Sequence, residues 1–264
     1  MENLFDQMVH ILKVNKKYGQ IAVKAEFESE GTRTEELIRL REISHAANLP
    51  MVVKIGGCEA IRDLLECKEY RIGNLVAPMI ESNYAAKKFV LALERVFENE
   101  CFKPKTYINV ETELSLKNID SITDTIQGSI DGIVFGRVDY VGSLEMSRSD
   151  VNSESLLNDA IDIASICSQK NLEFAIGGGI SIDAVHFLKK VKETRLQRFE
   201  TRKCVFDSNI LESSFIDSAL RNAVLFELLW LKSKQSHNSR ITAEDNIRIK
   251  MLEKRHLYNT NSCS

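Results

Sequence analysis

The sequence predicts an α/β chain of the (β/α)8, or TIM-barrel, type with a helical extension at its C-terminus, on three observations. Short β-branched or aromatic runs alternate with stretches of helical periodicity, the pattern of a parallel sheet with right-handed crossovers. The length of 264 residues matches the roughly 250 that one such barrel takes. Carboxylates and glycines gather at the C-terminal ends of the strand-like runs, the end where barrels of this type do their chemistry.

Apolar spacing first predicts an amphipathic helix from Leu4 to about Asn15. Strand signals follow at Ile21–Phe27, Met51–Ile55, Asn74–Ile80, Thr106–Val110, Gly132–Phe135, Leu172–Ile176 and Lys203–Phe206. Between them Glu35–Ala47, Glu59–Glu69, Tyr84–Glu98, Ser153–Gln169 and Asp183–Lys192 carry apolar residues at three- and four-residue steps, as helices do. Seven strands fall one short of a closed barrel. The missing one is expected before Ile21, where Met1–Lys17 reads as helix. After Asp207 a long helix over Phe215–Lys232 and a polar link, Ser233–Arg240, lead to a second helix from about Thr242, an N-cap candidate. One domain is expected over 1–264, with the barrel at about 19–232 and the helical tail at about 233–264. Trp230 among leucines suits a contact with a neighbouring subunit, so a homo-oligomer is expected. The alternative is that this helix closes the chain's own barrel wall.

A formal charge of −3 gives no footprint for nucleic acid or an anionic membrane. No run approaches the ~18 apolar residues of a membrane span. The six cysteines form no CxxC pair, which suggests reduced thiols and a cytoplasmic protein. The acidic, amphipathic start reads as neither signal nor transit peptide. None of the five histidines falls at a strand end, so no histidine base and no Ser-His-Asp arrangement is visible.

The strand ends supply the candidate chemistry. Glu111 closes Tyr107-Ile108-Asn109-Val110-Glu111, and Asp139, 28 residues later, closes Gly132-Ile133-Val134-Phe135-Gly136-Arg137-Val138-Asp139. Two carboxylates projecting from adjacent strands, with water in the remaining positions, suit a hard cation such as Mg²⁺ or Mn²⁺. Salt bridges to Lys or Arg would explain them too. Alternation puts Lys24, Glu26 and Glu28 on one inward face, and charges there need a partner or a metal. Glu26 is the functional candidate of the three; Glu28 and Glu30 read more simply as loop charges. Lys54, before Gly56-Gly57, can reach a carboxylate or phosphate, or can pair with Glu26 or Glu81. Glu81 ends the third strand, as a substrate contact or as an orienting partner for Lys54 or Lys24. Arg137 adds a cation suited to gripping a carboxylate. Gly177, Gly178 and Gly179, between a late strand and a helix, are candidates for binding an anion through backbone N–H groups, although a tight turn accounts for them nearly as well. Arg202 and Glu200 are placed on the opposite face, as a structural pair, and Asp207 at the upper end.

These strand ends resemble those of the HpcH/HpaI 2-oxo-acid aldolase/citrate lyase β-subunit family, barrels of the phosphoenolpyruvate/pyruvate superfamily. The resemblance runs from about Gly19 to Lys232. It rests on Val52-Val53-Lys54, Ala77-Pro78-Met79-Ile80-Glu81, Ile108-Asn109-Val110-Glu111-Thr112 and Phe135-Gly136-Arg137-Val138-Asp139-Tyr140. By motif it implies that Glu111 and Asp139 hold Mg²⁺ or a similar cation. Three departures stand out. Lys54 replaces the arginine that grips the oxo-acid, Glu26-Phe27-Glu28-Ser29-Glu30 lacks the histidine of the family's base segment, and Arg137 replaces a proline. The expected activity is a metal-dependent carbon–carbon lyase acting on a pyruvate-like 2-oxo-acid. The alternatives are a lyase acting on a CoA thioester, for which no basic entrance is evident, and a catalytically silent barrel that binds a ligand.

Overall fold

Among the described residues, eight strands close into one barrel in chain order: β1 (Gln20–Glu26), β2 (Met51–Lys54), β3 (Asn74–Ala77), β4 (Lys105–Val110), β5 (Gly132–Gly136), β6 (Glu173–Gly177), β7 (Arg198–Glu200) and β8 (Cys204–Asp207). The structure, a computed structural model, describes residues 3–237 and 243–261. Thr242, expected to cap the last helix, and Cys263 lie outside the described residues.

The strands form because their β-branched and aromatic residues find apolar surroundings on both faces. Inward, Ala22, Val52, Val76, Tyr107, Val134, Ala175 and Val205 fill the barrel's middle. Outward, residues such as Val53, Leu75, Ile108, Ile133 and Phe174 pack under the helices. Those helices are α1 (Leu4–Lys17), α2 (Thr34–Ala46), α3 (Ile61–Glu69), α4 (Asn83–Phe97), α5 (Glu113–Lys117), α6 (Ile119–Ile126), α7 (Arg137–Ser143), α8 (Glu154–Gln169) and α9 (Val185–Lys192). Side-chain caps fix several starts: Ser82 accepts from the Ala85 N–H at 3.1 Å and Ser153 from that of Leu156 at 3.4 Å. The short helices α5, α6 and α7 are additions to the sequence reading.

The eighth strand does not precede Ile21. That stretch is α1, as its periodicity predicted, and the extra strand is β7. From β1 to β7 the strands run parallel, whereas β8 runs antiparallel to both neighbours, with Glu200 opposite Val205 and Ala22 opposite Val205. Only residues 201–203 join β7 to β8. A parallel crossover needs a dozen residues or more, so this link can make only a hairpin. Two sequence assignments change in consequence. Arg202 sits at the upper, C-terminal end of the barrel, where its guanidinium meets Glu30 at 3.0 Å. Asp207 lies at the floor, where its N–H donates to the Gly19 carbonyl at 3.0 Å.

From the floor, α10 (Ile216–His237) rises along α1, tied to it by the Asn15 side-chain amide donating to the Ala219 carbonyl at 3.0 Å. Trp230 is 2% exposed, inside the chain's own core, with the Arg39 guanidinium 5.8 Å from its ring centre. It therefore closes the wall and presents nothing to a neighbouring subunit. The last helix, α11 (Ala243–Asn261), packs Ile249 and Leu252 against Leu228 and Leu231 of α10. Among the described residues no helix is long and apolar enough to cross a membrane. Cys58, Cys67, Cys101, Cys167 and Cys204 are all free thiols.

Candidate active site

Glu111 follows the last residue of β4 and is 1% exposed. Its Oε1 accepts the Met79 N–H at 2.9 Å, and its Oε2 accepts the Asn109 side-chain amide at 2.7 Å and the Lys54 ammonium at 3.2 Å. Met79 reaches it from a left-handed backbone conformation, φ +51°, which a non-glycine residue adopts at a cost. Across β5 the carboxylate lies flat over Gly136. A Cβ there would stand 2.8 Å from both the Glu111 Cβ and Oε2, so only glycine lets this side chain through.

Asp139 reaches the same place by a different route from the one its sequence suggests. The strand ends at Gly136 and helix α7 begins at Arg137, so Asp139 stands in a first helical turn. Its carboxyl is held above the usual carboxylate range, by burial first and by the neighbouring Glu111 charge second. The two acids therefore face each other and compete. Lys54, buried at the end of β2, meets Glu28 at 2.8 Å and Glu111 at 3.2 Å. Burial alone would lower its pKa, but those carboxylates outweigh burial and hold it above the lysine range.

Beneath them runs a chain of buried charge. Lys24 meets Glu26 and Glu200, each at 3.1 Å, and Glu200 meets Arg198 at 3.2 Å. Arg198 in turn lies 3.7 Å above the centre of the Tyr107 ring. Glu26 also accepts the Ser29 hydroxyl at 2.6 Å. Burial opposes its ionisation, but Lys24 and Ser29 outweigh burial and leave it well below the carboxylate range. Glu200 and Arg198 are thus part of the barrel interior. They do not pair with Arg202, which had been expected to share the floor with Glu200.

The structure gives Arg137 a different setting from the one expected. It is fully buried and points away from Glu111. Its Nε and one terminal nitrogen donate to the Gly178 carbonyl at 3.1 and 2.7 Å. The other donates to the Val151 carbonyl at 3.0 Å and to Asn152 Oδ1 at 2.7 Å. Phe187 covers it, its ring centre 4.7 Å away. Burial lowers its pKa to about 10. With its donors used inside the scaffold, it is not placed to grip a substrate. The glycine loop is engaged in the same contact. Gly178 has φ +80°, and a Cβ on it would stand 2.7 Å from the Val138 nitrogen. This close packing on the start of α7 explains the glycines without an anion. Glu81 is half-buried beyond β3, its carbonyl accepting the Asn118 amide at 2.8 Å. The ion pairs of Lys54 go to Glu28 and Glu111, and those of Lys24 to Glu26 and Glu200, so Glu81 does not orient either lysine.

Glu28, read from sequence as a loop charge, turns out to stand opposite Lys54. The alternation of Lys24, Glu26 and Glu28 on one face was the signal that could have singled it out. Within this interior, Lys24, Lys54 and Arg198 stand against Glu26, Glu28, Glu111, Asp139 and Glu200, an excess of two negative charges. Asn109 Oδ1, beside Glu111, is a buried acceptor with no partner. Among the described residues no group of three or more His, Cys, Asp or Glu side chains is arranged to hold a metal. Two oxygen ligands suffice for Mg²⁺ or Mn²⁺, which keep several waters. Glu111, with three donors already, retains one acceptor position of the about four that a carboxylate offers. Acid pair, charge excess and unpartnered acceptor together fit such an ion.

The chain belongs to the HpcH/HpaI aldolase/citrate lyase family, whose model matches residues 33–205. Membership supports an activity of the lyase type, in a family generally dependent on divalent metals. Solved structures agree on the barrel. A HpcH/HpaI aldolase/citrate lyase family protein from Burkholderia cenocepacia J2315 is 14% identical at a TM-score of 0.58, covering 73% of this chain and 83% of its own. Citrate synthase SbnG is 16% identical at 0.57, covering 73% and 81%. RipC from Yersinia pestis is 14% identical at 0.52, covering 78% and 87%. At such identities the likeness shows the fold alone. No curated protein matches the chain in sequence.

Proposed function

We propose that the chain is a carbon–carbon lyase of the aldolase type acting on a pyruvate-like 2-oxo-acid. The observation that carries this reading is the convergence of Glu111, Asp139 and Lys54 at the mouth of the barrel, in a family of aldolases and citrate lyases. Glu111 and Asp139 would hold Mg²⁺ or Mn²⁺, and a bound cation of that kind supplies Lewis-acid polarisation of the 2-oxo group.

The chain's own residues do the rest. Lys54 keeps its charge at neutral pH and faces the acids, so it can pair with the substrate carboxylate or with negative charge developing on the oxo oxygen. Glu26, clamped as an anion by Lys24 and Ser29, is a poor base and instead fixes Ser29 and the loop above it. Glu28 lies opposite Lys54 with a side chain 26% exposed, open to a substrate as Glu26 is not. It is the carboxylate that would take a proton from C3 and return it. Lys54 between Glu28 and Glu111 would then hold the base and the substrate in one charged row. No step in this scheme uses Arg137.

The test is deuterium exchange at C3 of pyruvate, 2-oxobutyrate and oxaloacetate, with Mg²⁺ or Mn²⁺ present. Exchange with at least one, lost in Glu28→Gln and in Asp139→Asn, is the expected result. Silence with all three substrates and both metals would sink the aldolase reading. One observation favours a second reading. The Lys54 ammonium already neutralises Glu111, as it would in a barrel that binds a ligand without catalysis. A Tm indifferent to Mg²⁺, Mn²⁺ and EDTA would favour that silent barrel.

A further inference from the structure

The acidic loop between β1 and α2 carries a buried ion pair that no step of the proposed reaction uses. Glu30 has a side chain 8% exposed, and its two oxygens are divided between neighbouring residues of the link that joins β7 to β8. Oε1 accepts the Arg202 guanidinium at 3.0 Å, and Oε2 accepts the Lys203 ammonium, whose side chain is 2% exposed. Neither cation pairs with another carboxylate among the described residues. Both stand on a fixed support. The Thr201 N–H donates to the Cys204 carbonyl at 2.8 Å, and the Cys204 N–H donates back to the Thr201 hydroxyl at 3.0 Å, so the turn is closed on itself. The Lys24 N–H donates to the Lys203 carbonyl at 2.8 Å and joins that turn to β1.

The loop has little else to hold it. After Phe27, whose N–H donates to the Lys54 carbonyl at 2.8 Å, it runs to Arg33, where the Glu36 carboxylate accepts the backbone N–H at 3.1 Å and α2 begins. Between those points the other hydrogen bonds are local ones, from Ser29 to Glu26, from Gly31 to Glu28 and from Thr32 to Glu26 and Glu30. Among the described residues, the ion pairs that reach from this stretch to other elements are those of Glu28 with Lys54 and of Glu30 with the hairpin. Behind the loop lies a cavity of about 340 Å³, with Ser29, Glu30 and Gly31 in one wall and Arg202 and Lys203 in another. Gly31 has nothing within 4 Å of where a Cβ would stand. Beyond Phe27, ion pairs rather than packing therefore set where Glu28 stands.

We propose that Glu30 is a positioning residue, which clamps this loop to the β7–β8 hairpin and so holds Glu28 facing the mouth of the barrel. This rests on the aldolase reading, in which Glu28 moves the C3 proton. A buried ion pair adds little stability, because taking both charges out of water costs about what their attraction returns, and well-packed apolar residues often serve as well. What the pair supplies here is direction. A carboxylate divided between two cations on a closed turn has one place to lie, and a base displaced by about 1 Å can lose about 100-fold in rate. The clamp also gives the antiparallel last strand a use, since the short link between β7 and β8 sets residues 202 and 203 beside the loop.

The test removes both charges of the buried pair at once. Loss of Glu30 alone would strand the Lys203 ammonium, whereas Glu30→Leu/Lys203→Met exchanges the pair for apolar groups of similar size and should keep the fold by circular dichroism. Amide hydrogen exchange at Gly31 and Thr32 is expected to be at least about tenfold faster in this variant, with β5 unchanged. With Mg²⁺ present, and with whichever of pyruvate, 2-oxobutyrate and oxaloacetate wild type exchanges fastest, kcat for C3 deuterium exchange should fall at least about tenfold. KM should stay within about twofold, because Lys54 is untouched. Arg202→Gln, at an exposed position, is a milder cut that leaves the buried lysine paired, and it should move amide exchange and kcat the same way by about twofold. Glu193→Gln, which breaks an exposed pair on α9, should move neither. Loop amides as protected in both clamp variants as in wild type, or a loosened loop with wild-type kcat, would overturn the role of Glu30. A wild type that exchanges none of the three oxo-acids overturns the aldolase reading instead. Loop amides freed in the double variant then uphold the clamp without its base, and amides unchanged overturn both.

Discussion

Two charged settings in the barrel, holding Arg137 and Asp139 only two positions apart in the chain, handle their charges in opposite ways. At the β5–β6 corner Arg137 is sealed in, its donors bonded to the Gly178 and Val151 carbonyls and to Asn152. At the mouth, Glu111 after β4, Asp139 on α7 and Lys54 at the end of β2 are crowded together, with one acid left in conflict with its neighbour. The first corner is satisfied, and so it is scaffold. The second carries unresolved charge, which an incoming ion or substrate would relieve, and this makes it the candidate for chemistry.

The sharpest way to break that contrast is to remove the sealed cation. Arg137→Met strands two buried carbonyls and an amide oxygen. It should cost on the order of 3 kcal/mol in denaturant unfolding, whether or not Mg²⁺ is present. A loss that Mg²⁺ reverses would mean that Arg137 belongs to the site after all.

Next in size is Gly136→Ala, whose new Cβ must push Glu111 aside. Overpacking of this kind costs about 1–3 kcal/mol, and the Tm gain given by Mg²⁺ should vanish with it. If the gain survives, Glu111 is not a ligand. A smaller effect, but one of opposite sign, is expected at Asp139. An acid whose folded-state pKa is raised destabilises the folded chain once ionised, so stability is lost as pH rises from its unfolded pKa through the raised one. Asp139→Asn removes that loss. In EDTA at neutral pH it should raise Tm by roughly 2 °C, while with Mg²⁺ it should melt below wild type. A fall in Tm under both conditions would show that the acid pair needs no cation.

The smallest effect concerns Glu26. Its folded-state pKa is depressed, so its contribution is full above the ordinary glutamate value and drains away as pH falls towards the depressed one. Unfolding free energy measured between about pH 5 and pH 2 should fall less steeply in Glu26→Gln than in wild type. Equal slopes would place the acid sensitivity elsewhere, with Glu200 the next group to change.

Much of this architecture was legible. Strands β1 to β6 announce themselves because Val, Ile and Phe runs bounded by turn residues have few other uses. Strand β7 stayed hidden because Arg198-Phe199-Glu200 is three residues long and two of them are charged. Those charges are tolerable inside the barrel only because Lys24 and Tyr107 receive them, which no local pattern reveals. The direction of β8 carries no periodic signature either, and misreading it inverted Arg202 and Asp207. For the candidate site, the nearness of Glu111 and Asp139 was legible from their positions after strands, although Asp139 arrives on a helix. Arg137 misled because nearness in sequence to Asp139 was taken for a shared direction. The helix beginning at residue 137 sends the two side chains apart.

The descending last strand also bears on how the ring is completed during synthesis. Strand β1 must wait for its second neighbour until residue 205 has been made, some 180 residues after Ala22. Until then a row of backbone donors and acceptors along β1 is open to mispairing with other nascent chains. A hairpin is a quick local structure, forming in about 1–10 μs, so β7 and β8 can arrive as a finished clasp. The slow step in maturation is then the capture of that clasp by the oldest strand.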